Sequence, residues 1–558
     1  MRLARFLIVL VVGCLLATTA ISQDLDSKID LLYQVPDGAP GFSIAVFKGN
    51  QILMEKQYGN AHLDHDVPIT TETVFDIGSI AKQFTAAAIL LLEAEGKLSL
   101  KDPAYQYVKN LPRYGKGDPT IEHLLNQTSG IKEVDDFLEV VDVFWRDYIN
   151  HSMLLNIITK VDELRFAPGE YFNYTNANYI LLASIIEEVS GVSYESYLYK
   201  AIFEPLGMKN TLVNTDAYRT IKHRAIGYIE DEQEYYKSHY YGLLYKGDGQ
   251  IITNPRDMFQ WHLGIKNATI GSPELWKRMQ TKAKLNNGTE INYGLGVEFE
   301  THNGHEAHGF DGMITSGFVS KYLYFPELDT AFFTTQNTFD WDFKERFFRL
   351  VDLYVPKSEK EQSAVAENFP ETSSTGDLQR YEGTYLFYRS DEERKANTIQ
   401  LKDGALYAFT LDGYEIAKLI PAGNHRFYFG EDKDAILEFN LEGETKQYTY
   451  DDFENEAPWV FHEYEPYEHS PEELKEFEGD YFNNDFQISK KLVMKDDVLY
   501  YYYRNGASKQ RMGSLSKNLL EISISPIQFI RNGQGQITGF DIMGLVFEKI
   551  QTKKDAPK

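Results

Sequence analysis

The sequence predicts an α+β domain over residues 23–355, followed by two all-β, barrel-like units. Three observations predict it. Strand patterns stand at both ends of the first segment with helical periods between them, which implies one sheet closed by distant parts of the chain. Residues 356–376 then break the pattern with Lys, Glu, Ser, Thr and the prolines Pro356 and Pro370, the composition of a linker. Beyond it the chain alternates aromatic and polar positions and repeats itself. Leu378 to Tyr385 (LQRYEGTY) recurs as Leu474 to Tyr481 (LKEFEGDY), and Lys402 to Tyr407 recurs as Lys495 to Tyr500. Both copies end in a glycine-containing turn, at Gly443 and Gly535. Two related antiparallel units follow, at 377–465 and 466–552, whose aromatics are read as barrel core and not as a ligand cage.

The chain is 558 residues long, room for two to four domains. With 43% hydrophobic and 25% charged residues it belongs to the ordinary globular class. Its 83 acidic residues against 56 basic ones argue against a nucleic-acid or anionic-membrane partner, both of which need a basic patch. Residues 1–22 read as a secretory signal: Arg2 and Arg5 precede the mostly apolar run Phe6 to Ala17, and Ala20-Ile21-Ser22 offers small residues before a cut. The run is short for a membrane span. Cys14, the only cysteine, stands in Val11-Val12-Gly13-Cys14, a sequence like a lipoprotein cleavage site. The apolar run continues through Leu15 and Leu16, which favours the later cut. The expected mature chain is secreted or periplasmic, without a transmembrane anchor. It has no disulfide, no thiolate nucleophile and no cysteine-ligated metal.

Within the first domain, residues 24–33 read as a short helix. Phe42 to Lys48 and Gln51 to Tyr58 are a hairpin turning at Gly49-Asn50. Next comes Phe75-Asp76-Ile77-Gly78-Ser79-Ile80-Ala81-Lys82, which leads into an apolar run from Phe84 to Ala94 stopped by Gly96. A helix apolar nearly all round is a buried one. Ser79 and Lys82, three apart, share a face. Burial and the positive end of the helix dipole both disfavour an ammonium at Lys82. A neutral amine beside a hydroxyl makes an activated nucleophile, the S-x-x-K arrangement of acyl-transfer serine enzymes. The same letters occur at Ser129 to Lys132, in a turn, and at Ser514 to Lys517, in a strand-rich region; only Ser79 opens a buried helix. Residues 105–165 mix short helical periods with turns. Asn178 to Glu188 has helical spacing and ends at Gly191. Two strands within 316–336 are split by Pro326-Glu327, and Asp342 to Tyr354 is again helical.

Further motifs follow in order: Leu124 to Ile131 (LLNQTSGI), Pro168 to Asn176 (PGEYFNYTN), Glu204 to Met208 (EPLGM) and Gly247 to Thr253 (GDGQIIT). With Ser79 and Lys82 they resemble the serine β-lactamase and penicillin-binding-protein superfamily over about residues 30–350. The nearest likeness is to its class C-like branch of D-aminopeptidases, DD-carboxypeptidases and esterases. The terminal units resemble the lipocalin-like or barrel domains of some family peptidases.

The resemblance implies a β-lactamase/transpeptidase-like fold and a serine hydrolase acting through an acyl-enzyme, with no metal or cofactor. The substrate class it implies is a small molecule or peptide: a D-amino-acid peptide, a cell-wall peptide, a β-lactam or an ester. The second motif, Y-x-N, fits both Tyr171-Phe172-Asn173 and Tyr174-Thr175-Asn176, and the spacing from Pro168-Gly169-Glu170 that the resemblance implies selects Tyr174 and Asn176. Tyr174 is implied to share a proton with Ser79 or the leaving group, its pKa lowered by the neighbouring amine, and Asn176 to bind a substrate amide. The third motif, H-x-G or K-T-G, has three open registers ahead of Gly317-Phe318: Asp311 without a gap, Phe310-Asp311-Gly312 with one inserted residue, and His308-Gly309-Phe310 with three. His308 is carried as the substrate-binding candidate. The oxyanion is implied to be held by the Ser79 N–H and one from the strand near residue 312. The alternative is a catalytically weak binding protein that kept the fold. The catalytic domain is expected to fold when cut near residue 360, with the β units beside the cleft narrowing what enters. Oligomeric state is left open.

Overall fold

The computed structural model describes residues 25–358 and 378–550, apart from 144–146, 232–233, 239–241, 341, 391–392, 411–412, 424, 431, 443–444, 452–458, 466, 504–505 and 523–525. The expected signal segment with Cys14, nearly all of the expected linker and Gly443 lie outside the described residues.

A six-stranded antiparallel sheet organises the first domain. Its strands are β1 (Phe42–Lys48), β2 (Gln51–Tyr58), β3 (Glu298–His302), β4 (His305–Ile314), β5 (Phe318–Phe325) and β6 (Thr330–Gln336), in the order β3-β4-β5-β6-β1-β2. The closure by distant parts of the chain is the pairing of β1 with β6, Phe42 opposite Gln336 and Lys48 opposite Thr330. Successive side chains of a strand point to opposite faces, and in β1 they enter two different cores. Ala45 and Phe47 join the cluster around the Ser79 helix. Phe42, Ile44 and Val46 join a second cluster with Ile29 and Tyr33 of the helix at 25–33. That helix and the C-terminal one thus cover one face of the sheet, and the remaining helices cover the other.

The helices that matter for the site are α1 (Ala81–Ala94), α2 (Val134–Val140), α3 (Asn176–Ser190), α4 (Pro255–Lys266) and α5 (Phe343–Asp352). In α1 every residue from Ala81 to Leu90 is buried, and Gly96 takes the left-handed φ of 72° just beyond the end. At α3 the Thr175 side chain caps the N-terminus by accepting from Ala177 N, and Gly191 ends it at φ 71°.

The first terminal unit is a closed barrel of eight strands between Gly383 and Glu463, its first and last strands paired at Phe387 and Phe461. The second is a nine-stranded sheet whose first and last strands pair at Tyr481 and Lys549. It stays open between Ser508–Arg511 and Gly513–Ser516. The sequence repeat is a repeated hydrogen-bond pattern. Tyr385 donates its hydroxyl to Tyr381 O (2.8 Å) and Tyr481 to Phe477 O (2.7 Å). The Leu401 and Met494 amides donate to Glu382 and Glu478 respectively. Each tyrosine fills its barrel and satisfies its own hydroxyl at the entry turn, which is what a buried phenol requires.

The second unit is not a free appendage. Phe477, Tyr481, Leu499, Phe540 and Met543 belong to one apolar cluster with Phe137, Leu138 and the helices of the first domain. No helix among the described residues is long and apolar enough to cross a membrane.

Candidate active site

Ser79 sits in the short turn Gly78–Ile80 that opens α1, and it is partly exposed while its neighbours are buried. Lys82, one turn on, places Nζ 2.9 Å from Ser79 Oγ. Two further acceptors surround that nitrogen: Asn176 Oδ1 at 2.8 Å and the Asp248 carbonyl at 3.2 Å. Tyr174 donates its hydroxyl to Ser79 Oγ at 3.0 Å, and Lys82 Nζ lies 4.8 Å from the centre of its ring.

The motifs that hold these groups are structural, and each has a visible task. The Gln127 side chain accepts from Thr175 N and Asn178 Nδ2, while its carbonyl accepts from Asn173 N. The Thr128 carbonyl receives Gly169 N. The QTSG turn is therefore the bed on which the segment carrying Tyr174 and Asn176 lies. Gly247 passes so close to α3 that a Cβ would stand 2.0 Å from Tyr179 O, and this approach brings the Asp248 carbonyl to Lys82. Of the other two S-x-x-K serines, Ser129 donates to Asn178 Oδ1, and Ser514 pairs with His469.

On the opposite wall, β4 runs beyond the end of β3, which pairs only as far as Gly309. Its free edge meets the Ser79 turn. A Cβ on Gly312 would stand 1.9 Å from Ile77 O, and one on Gly78 2.8 Å from Met313 N. Of the three registers left open by the sequence, Phe310-Asp311-Gly312 is the one whose glycine lies against the Ser79 turn. Phe310 is buried, its ring 6.2 Å from that of Tyr174 and 6.0 Å from that of Tyr293.

Ser79, Lys82, Tyr174 and Asn176 are thus brought together, and His308 is not brought to them. It lies one pleat back on β4, buried between Phe299 and Tyr324, where burial pushes its imidazole down to about 4. His262 of α4, hydrogen-bonded to Tyr322, is likewise held down to about 4. Both rings are neutral in the fold, whereas in the unfolded chain each takes up a proton below about 6.5. Their stabilisation is complete above pH 6.5 and is lost as pH falls towards 4, at on the order of 1 kcal/mol per pH unit for each ring. His308→Phe is expected to flatten the fall in Tm between pH 6.5 and 4.5 while keeping activity. A variant with unchanged slope and lost activity would return His308 to the site.

Two carboxyl groups that sequence reading did not single out complete the surroundings. Glu133 Oε2 accepts the Asn176 amide N–H at 2.7 Å, and Asp135 Oδ2 accepts from Asn176 Nδ2 at 3.0 Å. Burial raises both, Glu133 to about 7, and a third buried carboxyl, Asp248, is raised to about 6. Lys82 is pushed down to about 8 by burial, and Asp248, Glu133 and Asp135 limit the fall. Tyr174 corrects an expectation. The amine was to lower its pKa, but burial raises it most, the hydrogen bond to Ser79 lowers it only in part, and Glu298, Asp248 and Glu133 add to the rise, so the phenol stands well above its ordinary value. Tyr174 is a resident O–H donor, and Lys82, held at about 8, is the group beside Ser79 that can lose its proton above neutral pH.

The chain is 25% identical over 413 residues to penicillin-binding protein 4* of Bacillus subtilis, covering 69% of this chain and 87% of that one. It is 26% identical over 293 residues to a D-aminopeptidase of Brucella ovis, covering 52% of this chain and 55%, about half, of the relative. The octameric penicillin-binding protein homologue from Pyrococcus abyssi superposes with a TM-score of 0.54 at 24% identity, over 80% of this chain and all of that one. The family model described as beta-lactamase matches residues 29–354. The chain belongs to the beta-lactamase family.

Proposed function

We propose that the protein is an exported serine hydrolase that acts through an acyl-enzyme on an amide, peptide or ester carbonyl. The observation that carries this reading is the Ser79 hydroxyl, partly exposed and within 3.0 Å of both Lys82 Nζ and Tyr174 OH. A neutral Lys82 gives its two N–H bonds to Asn176 Oδ1 and the Asp248 carbonyl, so its lone pair faces Ser79. Ser79 Oγ forms a bond to the substrate carbonyl carbon, the carbonyl pair moves onto oxygen, and the serine proton passes to Lys82. The oxyanion is held by the Ser79 N–H and one from β4 beside Gly312. When the C=O reforms, the bond to the leaving group breaks. That group takes a proton from Tyr174, which Lys82 replaces. Water then repeats the sequence on the acyl-enzyme and frees Ser79. Asn176 serves both the lysine and the substrate amide. The D-aminopeptidase relative supports an amide or peptide substrate with a D-residue.

The test is intact-mass analysis of the native protein after a fluorophosphonate probe. A single adduct mapped to Ser79 is the expected result. An adduct at Ser129 or Ser514, or none, defeats the proposal, and none favours the catalytically weak binding protein.

A further inference from the structure

The oxygen and the NH2 of an asparagine amide have nearly the same shape, and only one orientation of Asn176 suits a base at Lys82. With Oδ1 towards Nζ, Asn176 and the Asp248 carbonyl take up two N–H bonds and leave the third direction to Ser79. With the amide reversed, its NH2 competes with Ser79 for the lysine lone pair. The orientation is decided on the far side of Asn176, where Nδ2 donates to Asp135 Oδ2. A carboxyl oxygen in that place accepts whether or not the group is ionised, and the other Asp135 oxygen is buried without a hydrogen-bond partner. Glu133 fixes the Asn176 backbone in the same corner.

Both carboxyls stand at the start of α2, a helix of 7 residues, too short to hold itself in place. What lies behind it is the second β unit. Lys490 Nζ is 2.6 Å from Asp142 Oδ1, two residues past the end of α2, and the lysine side chain is 0% exposed. Gln510 donates to Glu139 of α2 at 2.9 Å. Just ahead of α2 in the chain, Lys132 donates to the Met543 carbonyl of the same unit at 3.3 Å. The loop and helix from 132 to 142 are thus gripped by the nucleophile's own elements on one side and by residues more than three hundred positions away on the other.

We propose that Asp135 is a positioning residue for Lys82, acting through Asn176, and that the second β unit holds it there through the buried Lys490–Asp142 pair. This rests on the serine-hydrolase reading. The β unit is then part of the scaffold of the active site, not a cover laid over it.

The experiment is the rate at which a fluorophosphonate labels Ser79 in the full-length protein, with Tm recorded for every variant. Asp135→Ala is expected to slow labelling ~10–100-fold, the scale of a misplaced catalytic group. Asp135→Asn, whose side-chain oxygen still accepts from Asn176, is expected to stay within about threefold of the native rate. The double variant Lys490→Met/Asp142→Asn removes both charges of the buried pair together and changes no residue of the catalytic group. It is expected to slow labelling about fivefold or more, a smaller part of the same misplacement. A merely structural role would lower Tm in all three and leave the rates together. Native-rate labelling of Asp135→Ala, or Asp135→Asn as slow as Asp135→Ala, overturns the positioning role. A double variant that labels at the native rate overturns the role of the β unit. Failure of the native protein to label is a different result, and it removes the hydrolase reading itself.

Discussion

Lys82→Arg is expected to lower the rate of Ser79 acylation ~10²–10⁴-fold, the usual contribution of a general base. The arginine fits the charge but not the task, because a guanidinium keeps its proton in any protein environment. Three acceptors surround the Lys82 nitrogen, so charge is well accommodated there. The proposed mechanism depends on that nitrogen losing a proton, and burial brings the loss down to about pH 8 against the pull of Asp248, Glu133 and Asp135. The neutral amine is the active form, so acylation of the native protein is expected to be slow well below pH 8 and to rise through it. The arginine variant has no such rise. Stopped-flow labelling across pH 6–10 reads both features. An arginine variant with most of the native rate, or a native profile falling between pH 7 and 9, would contradict Lys82 as the base.

How much of this was legible before the structure depends on what each feature is made of. The Ser79 helix was legible because the mostly apolar run from Phe84 to Ala94, stopped by Gly96, has a single local solution. The Tyr174–Asn176 pair was legible from the Pro168-Gly169-Glu170 turn that precedes it, and the barrel repeat from the aromatic that each copy must seat. The register of β4 was not. It is set by how closely the Gly312 backbone approaches Ile77 and Gly78, and a strand's letters fit several slides along its neighbour. Tyr174 misled for a related reason: the sequence shows the charged neighbours of a phenol but not how dry its site is, and dryness is the larger effect. Asp135 looked like one more acid in the run Glu133-Val134-Asp135-Asp136 at the start of a helix. Its use depends on Asn176, 41 positions away, and on a barrel at the other end of the chain.

Cutting the chain near residue 360 is expected to yield a protein that neither folds cleanly nor labels, contrary to the independence that the change of composition at 356–376 suggests. A change of composition marks where one kind of sequence ends, not where the core ends. The apolar cluster that contains α1 and α3 continues through Phe137 and Leu138 into Phe477, Tyr481, Leu499 and Phe540. Removing the second unit bares one side of that cluster, at about 1.5–3 kcal/mol for each large side chain returned to water. The cut also leaves Asp142, Glu139 and Lys132 without the partners they have in Lys490, Gln510 and the Met543 carbonyl. A few such side chains equal the whole stability of an ordinary domain, ~5–15 kcal/mol. The expected result for residues 23–360 is aggregation or a broad, low-temperature transition in calorimetry, and labelling of Ser79 reduced further than in Lys490→Met/Asp142→Asn, because the same tether is lost completely. A monomeric fragment with a sharp transition, native-rate labelling and a wider range of accepted esters would restore the second unit to the role of a gate over an independent enzyme. A fragment that folds but labels slowly would separate the two effects, with stability supplied by the first domain alone and the alignment of Asp135, Asn176 and Lys82 supplied by the barrel.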